Sequence, residues 1–234
     1  MRVRSSLVFA VLAAFAWVEP ARADRAEDHR LVPFPKDIRL EEGRFSLNRP
    51  HTLELPRSQA ELIAQSITEE LARAGLPAPT VRPLADGGEQ TLRLSPDASG
   101  ALKPPPVRPD PTCEYYALRV TPEGIVAAAP APQGLFYAVQ TLCQLIRANR
   151  RDNRLPALTI TDWPSLRWRC FQDDMTRGPS SKLKTLKFEA AWGAHLKMNL
   201  FTYYMEYQYA FKKHPLIGPE NGSLEPDDLS ALVD

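Results

Sequence analysis

The sequence predicts an α/β protein: a small α+β domain, with a sheet carrying two helices on one face, followed by the beginning of a (β/α)8 TIM barrel. Three observations predict it. Over residues 31–161, short strands with alternating apolar residues are interrupted by only two amphipathic helical stretches. From Asp162 to Phe211 the pattern becomes strand, polar loop, helix, strand, polar-aromatic loop, which is one βαβ unit. Pro164 stands where the pattern changes, and the residue before a proline is pushed out of helix geometry. The expected divisions are a leader at 1–23, an α+β domain at 24–161, and the first βαβα part of an incomplete barrel at 162–234. A barrel needs about 250 residues, so the chain is expected to be a fragment.

The leader is read as a signal peptide. Met1-Arg-Val-Arg4 is basic, and Leu7 to Val18 is apolar but too short to span a bilayer. Ala21-Arg22-Ala23 supplies the small residues a signal peptidase requires, so cleavage is expected after Ala23. The protein is then exported to the periplasm or exterior, with no membrane anchor after cleavage. Ile38 to Leu47 reads as two short strands around a turn at Gly43, and His51 to Leu55 as a third. Ser58 with Glu61 forms the pattern of a capping box before a helix that runs to Ala74 and closes at Gly75. Thr91 to Ser95 is a strand. Tyr115–Val120 and Ile125–Ala129 form a hairpin across Thr121-Pro-Glu-Gly124. Gln133 to Arg147 is the second helix, and Leu155 to Ile160 the last strand of this domain.

In the second part, Trp168–Gln172 and Met198–Tyr204 are the strands and Ser181–Leu196 the helix between them. Leu183, Leu186, Ala190, Ala194 and Leu196 are its candidate buried residues. Gly193 lies inside that helix, at a cost of about 1 kcal/mol relative to alanine. Pro226 sits at a first helical position, with Asp227 and Asp228 favourable to the helix dipole.

Composition excludes several functions. Net charge is +1 and no basic stripe with interleaved aromatics occurs, which argues against nucleic acid as partner. The four histidines show no zinc spacing and no C-x-x-C exists, so neither metal nor cofactor is expected. Three cysteines allow at most one disulfide. Cys143 and Cys170 are expected to be small core filler. Asn221-Gly-Ser223 is a glycosylation sequon, without meaning in a bacterial host.

Four pieces carry a resemblance. They are Pro33-Phe-Pro35; Gly134-Leu-Phe-Tyr-Ala-Val-Gln-Thr-Leu-Cys-Gln-Leu-Ile146; Asp162-Trp-Pro followed by Arg169, Asp174 and Arg177; and Lys197-Met-Asn199. In this order they resemble the family 20 glycoside hydrolases, the β-N-acetylhexosaminidases. The third piece is similar to the family's D-x-P…R-G-x-x-L-D-x-x-R signature on barrel strand one, and the fourth to the K-M-N that enters strand two. The chain departs from the pattern at Cys170 and Asp173, and in Phe201-Thr-Tyr-Tyr-Met-Glu-Tyr-Gln208, where the family carries a histidine and paired aspartates.

The resemblance implies substrate-assisted hydrolysis of terminal β-linked N-acetylhexosamine, an exception to the two-carboxylate scheme. The sugar's acetamido oxygen attacks the anomeric carbon, a glutamate protonates the leaving oxygen, and the preceding aspartate orients the acetamido group. That Asp-Glu pair follows barrel strand four, so it is expected beyond residue 234 and no catalytic residue is assigned here. The partner is a carbohydrate, an N-acetylhexosamine-containing glycan. Arg169 matches the arginine that hydrogen-bonds sugar hydroxyls, and its alternative is a structural ion pair. Asp174 and Arg177 stand above strand one, where pairing with each other is the alternative to touching sugar. Tyr204 and Glu206 follow strand two as further substrate-binding candidates, and Asp174 with Glu206 could form a carboxylate pair. The chain alone is expected to be inactive. The alternatives are a non-catalytic carbohydrate-binding or scaffold protein, or a related barrel glycosidase of α-glucuronidase-like or O-GlcNAcase-like type.

Overall fold

The computed structural model describes residues 25–84, 90–95, 102, 113–176, 181–219 and 222–233. The expected signal peptide, Arg177 and the sequon's Asn221 lie outside the described residues.

Seven strands form one mixed sheet: β1 (Asp37–Ser46), β2 (Thr52–Leu55), β3 (Thr80–Pro83), β4 (Gln90–Leu94), β5 (Tyr116–Val120), β6 (Ile125–Ala129) and β7 (Arg154–Asp162), in the order β1-β7-β5-β6-β4-β2-β3. All pairings are antiparallel except β2 with β3. Two helices, α1 (Ala60–Arg73) and α2 (Pro132–Ala148), share one core with the sheet. Side chains alternate across a strand. Leu53 and Leu55, Leu92 and Leu94, Leu118 and Val120, and Leu158 and Ile160 therefore all enter that core. Ile63, Ile67 and Leu71 of α1 and Leu135, Leu142 and Ile146 of α2 meet them. Each such side chain, fully buried, contributes about 1.5–3 kcal/mol. A sheet with two helices on one face is as the sequence predicts, although at seven strands it is larger than the small sheet expected.

Local details differ from expectation. Ile38 to Leu47 is one strand, not two: Gly43 (φ +102°) makes a bulge within β1, between Leu40 and Arg44, instead of a turn. The Ser58–Glu61 capping box does not form, because a 3-10 turn occupies Arg57–Gln59 and α1 begins at Ala60 without a side-chain cap. The sequence reading missed β3. Gly134 lets α2 settle on the sheet: a Cβ there would overlap the carbonyl oxygen of Tyr115 and lie 2.9 Å from the Cβ of Ala129.

After β7 come β8 (Cys170–Asp174), α3 (Leu183–His195), β9 (Leu200–Tyr204) and α4 (Pro226–Val233). β8 and β9 pair in parallel, with Cys170 opposite Leu200 and Asp174 opposite Tyr204. This is the expected βαβ unit, with β8 starting two residues later than predicted. Its burial is thin. No residue of β8 or β9 is fully buried, and of α3 only Leu186 and Gly193 are. Leu186 packs with Met175 and Leu224 in a small second core. Gly193 has a packing reason, since a Cβ there would overlap the Phe201 ring. Cys170 is exposed, not core filler, because it starts a strand with no layer over it, whereas Cys143 is buried in α2.

Candidate functional site

The carboxyl ends of β8 and β9 are where a parallel α/β unit gathers its working side chains. Asp174 ends β8 and accepts hydrogen bonds from the Thr176 backbone N–H (3.0 Å) and hydroxyl (2.6 Å). Asp173, facing the other way, accepts one from Ser181 at 3.3 Å. Tyr204 is exposed at the end of β9, and Glu206 is exposed in the turn beyond it at φ +47°. Tyr207 is also exposed, and its hydroxyl donates to the Thr176 carbonyl (3.3 Å), tying the two loops together. The structure thus brings Asp174 and Tyr204 together across one pair of strands. Beneath them, burial and then the neighbouring Asp173 raise the pKa of Glu189. Burial, followed by the charges of Glu189 and Asp173, raises that of Tyr203.

Arg169 stands at the other end. It precedes β8, and its guanidinium is committed to protein acceptors. It donates to the carbonyls of Lys197 and Leu166 (2.9 Å for the latter) and forms an ion pair with Glu114. Its side chain is only 16% exposed. The ion pair, one of the two roles read from sequence, is formed. It lies at the amino end of the strand pair, apart from Asp174 and Tyr204.

This amino end is a joint that sequence reasoning did not assemble. Lys197, at φ +60° just before β9, sends its ammonium into the α+β layer. There it donates to Asp162 Oδ2 and to the Tyr116 hydroxyl, both at 2.8 Å. Tyr116 in turn donates to Asp162 (3.0 Å), and Thr141 Oγ1 lies 2.6 Å from its oxygen. Asn199 donates to Glu114 (3.0 Å) and to the Arg167 carbonyl (2.8 Å), and accepts from the Arg169 backbone N–H (2.9 Å). Tyr115 stacks on Trp163 with ring centroids 5.8 Å apart. Burial lowers the Lys197 pKa, and the Asp162 carboxylate works against that fall. Burial, then Asp162, pushes the Tyr116 phenol well above its ordinary range. Such a network holds only when every member is paired, and here each is. The only sequence signal for it was motif membership: Asp162, Arg169, Lys197 and Asn199 all belong to the quoted motifs. A cavity of about 160 Å³ lies beside the joint, walled in part by Phe34, Tyr137 and Trp163.

Among the described residues no group of three or more His, Cys, Asp or Glu is placed to hold a metal ion. Among them, too, no helix is long and apolar enough to cross a membrane.

Comparison with known proteins adds to this geometry. Residues 28–163 match the family model described as glycosyl hydrolase family 20, domain 2. Among solved structures the chain is similar to the exo-β-N-acetylglucosaminidase of Vibrio harveyi in complex with N-acetylglucosamine, with 19% identity and a TM-score of 0.64, covering 92% of this chain and 35% of that one. It is similar to the β-N-acetylhexosaminidase of Bacteroides fragilis, with 23% identity and a TM-score of 0.63, covering 87% of this chain and 41% of that one. A third likeness is to Flavobacterium johnsoniae chitobiase, with 19% identity and a TM-score of 0.62, covering 90% and 33%. These likenesses are of fold, and the chain spans well under half the length of each of these proteins.

Proposed function

The chain belongs to glycosyl hydrolase family 20, and from that premise we propose that it is the leading portion of a hexosaminidase-like glycoside hydrolase. Its α+β layer carries the first βαβα part of a (β/α)8 barrel. The whole protein is exported and hydrolyses terminal β-linked N-acetylhexosamine by substrate assistance. The observation that carries this reading is the parallel β8–α3–β9 unit fastened directly behind the family's domain 2. Parallel sheets are covered on both faces in finished folds. Phe171 and Leu200 instead leave more than a third of their surface open, as strands awaiting neighbours do.

On this reading Asp174, Tyr204 and Glu206 line the first edge of the substrate pocket. The exposed Tyr204 ring offers a face for a sugar, and Asp174 an acceptor for its hydroxyls. Arg169 acts as a positioning residue through its pair with Glu114. The Asp-Glu pair that orients the acetamido group and protonates the leaving oxygen lies outside residues 1–234. The chain alone then releases no chromophore from a p-nitrophenyl N-acetyl-β-glucosaminide. The coding sequence downstream of Asp234 provides the test. An Asp-Glu pair at the end of a fourth barrel strand supports the enzyme. A continuation without one supports a non-catalytic carbohydrate-binding protein instead.

A further inference from the structure

A second cavity lies away from the strand ends, in a groove of about 560 Å³ between α1 and α3 with α2 as its floor. That volume falls in the range of roughly 300–1,000 Å³ typical of small-molecule sites. Two features of it bear on a ligand. Phe188 and Trp192, one turn apart on α3, stack with ring planes 13° apart and centroids separated by 6.2 Å, yet remain 63% and 47% exposed. In the floor sits Gln140, 3% exposed, whose side-chain amide has no hydrogen-bond partner among the described residues. The fully buried polar atom left without a hydrogen-bond partner in this groove is His195 Nδ1.

The surrounding charges are already satisfied. Glu70, nearly fully buried, is held by Arg147 and by Arg73 (3.3 Å), and Arg73 also reaches Glu69 (3.5 Å). Arg147 lies over the Trp192 ring at 5.6 Å, fixing its orientation, and donates to His195 Nε2 at 3.0 Å. Since arginine only donates, that nitrogen carries a lone pair and the imidazole is neutral. Burial and the Arg147 charge, which lower the His195 pKa, agree with this. The groove therefore offers aromatic faces, the Gln140 amide and the unpartnered His195 Nδ1 between walls of paired charge. It is suited to a neutral ligand with an apolar face and an amide of its own.

We propose that this groove is a second glycan-binding site, taking an N-acetylated sugar. A pyranose ring covers Phe188 and Trp192, and its acetamido group pairs with the Gln140 amide. The choice of a sugar as ligand rests on the family 20 reading above, while the site itself rests on the groove. The test is calorimetric titration of the chain with N,N′-diacetylchitobiose, with cellobiose and N-acetyl-alanine methylamide as comparison ligands. Saturable binding of the first is expected, at least tenfold tighter than of the other two. Trp192→Ala and Gln140→Leu are each expected to weaken it at least tenfold. Gln140→Leu puts an apolar side chain of similar size on an apolar floor, so an unchanged or raised Tm separates loss of ligand from loss of fold. Absence of binding, or binding indifferent to Trp192→Ala and Gln140→Leu, overturns the proposal. Equal affinity for cellobiose overturns the acetamido contact, and equal affinity for the peptide amide overturns the choice of a sugar. The hexosaminidase reading is tested separately by turnover in the longer protein, which Trp192→Ala leaves unchanged.

Discussion

Replacing Lys197 with methionine should destabilise the protein by about 3 kcal/mol. The Lys197 and Asp162 side chains are 8% and 9% exposed, and their charged atoms are 2.8 Å apart. Removing one partner of a buried pair costs about 3–5 kcal/mol, because the other charge is left stranded. Asp162 would keep hydrogen bonds from the Tyr116 hydroxyl (3.0 Å) and the Lys36 backbone N–H (3.2 Å), which places the effect at the lower end. At roughly 2–4 °C per kcal/mol for a chain of this size, Tm falls by about 6–12 °C. Asp162→Asn strands the lysine instead. Lysine can escape by losing its proton, which at pH 7 caps the cost at about 4.6 kcal/mol from an ordinary value near 10.4. The unfolded state then binds more protons than the folded one between the lowered folded pKa and about 10.4, so this variant gains stability as pH rises through that window. The Lys197→Met, Asp162→Asn double variant should recover much of either loss. Thermal unfolding followed by circular dichroism, run as a double-mutant cycle, measures all of this. If Lys197→Met melts within about 2 °C of the parent, the pair does not hold the joint and the reasoning fails.

Three further outcomes follow from the same structure. Gly134→Ala should destabilise by about 1–3 kcal/mol in chemical denaturation despite alanine's better helix propensity, because the backbone of Tyr115 cannot yield to the new methyl group. A thiol reagent at neutral pH should titrate Cys113 and Cys170 in the native protein and reach Cys143 only after unfolding. Cys143 is buried, and that burial pushes its pKa up to about 12. Burial lowers the pKa of both His51 and His195. The unfolded chain therefore takes up protons first as pH falls below about 6.5. Stability should be full above that value and decline towards the lowered folded pKa values, and replacing both histidines with glutamine should flatten Tm between about pH 7 and 5.5.

The sheet was legible because its signal is local. Leu92 with Leu94, Leu118 with Val120, and Leu158 with Ile160 alternate within their own strands, so both the strands and the face they bury can be read from period two. β3 escaped notice for the same reason: Thr80-Val-Arg-Pro83 is an edge strand exposed along its whole length, with no buried face to impose alternation. Ser58 and Glu61 matched a capping pattern, but the chain enters α1 through a 3-10 turn that makes Gln59, not Ser58, the N-cap. The joint was legible only as motifs. Glu114 and Arg169 are 55 residues apart and Asp162 and Lys197 are 35 apart, and neither periodicity nor propensity reports on pairs at that range. The βαβ unit was recognised by type, yet its burial was overestimated. Leu183, Leu186, Ala190, Ala194 and Leu196 of the helical stretch read as buried, while of these five the structure fully buries only Leu186. The quoted signature thus divides in two. Asp162, Arg169, Lys197 and Asn199 fasten the unit at its amino end, and Asp174 stands at the carboxyl end, where chemistry is expected.

Hydrolysis of p-nitrophenyl N-acetyl-β-glucosaminide tests the proposed function most directly. The 234-residue chain should be measured beside the same chain extended through its downstream coding sequence. Release by the extended protein alone, abolished when the glutamate of its Asp-Glu pair becomes glutamine, is the predicted result. Release by the 234-residue chain, or none by the extended protein, would contradict it.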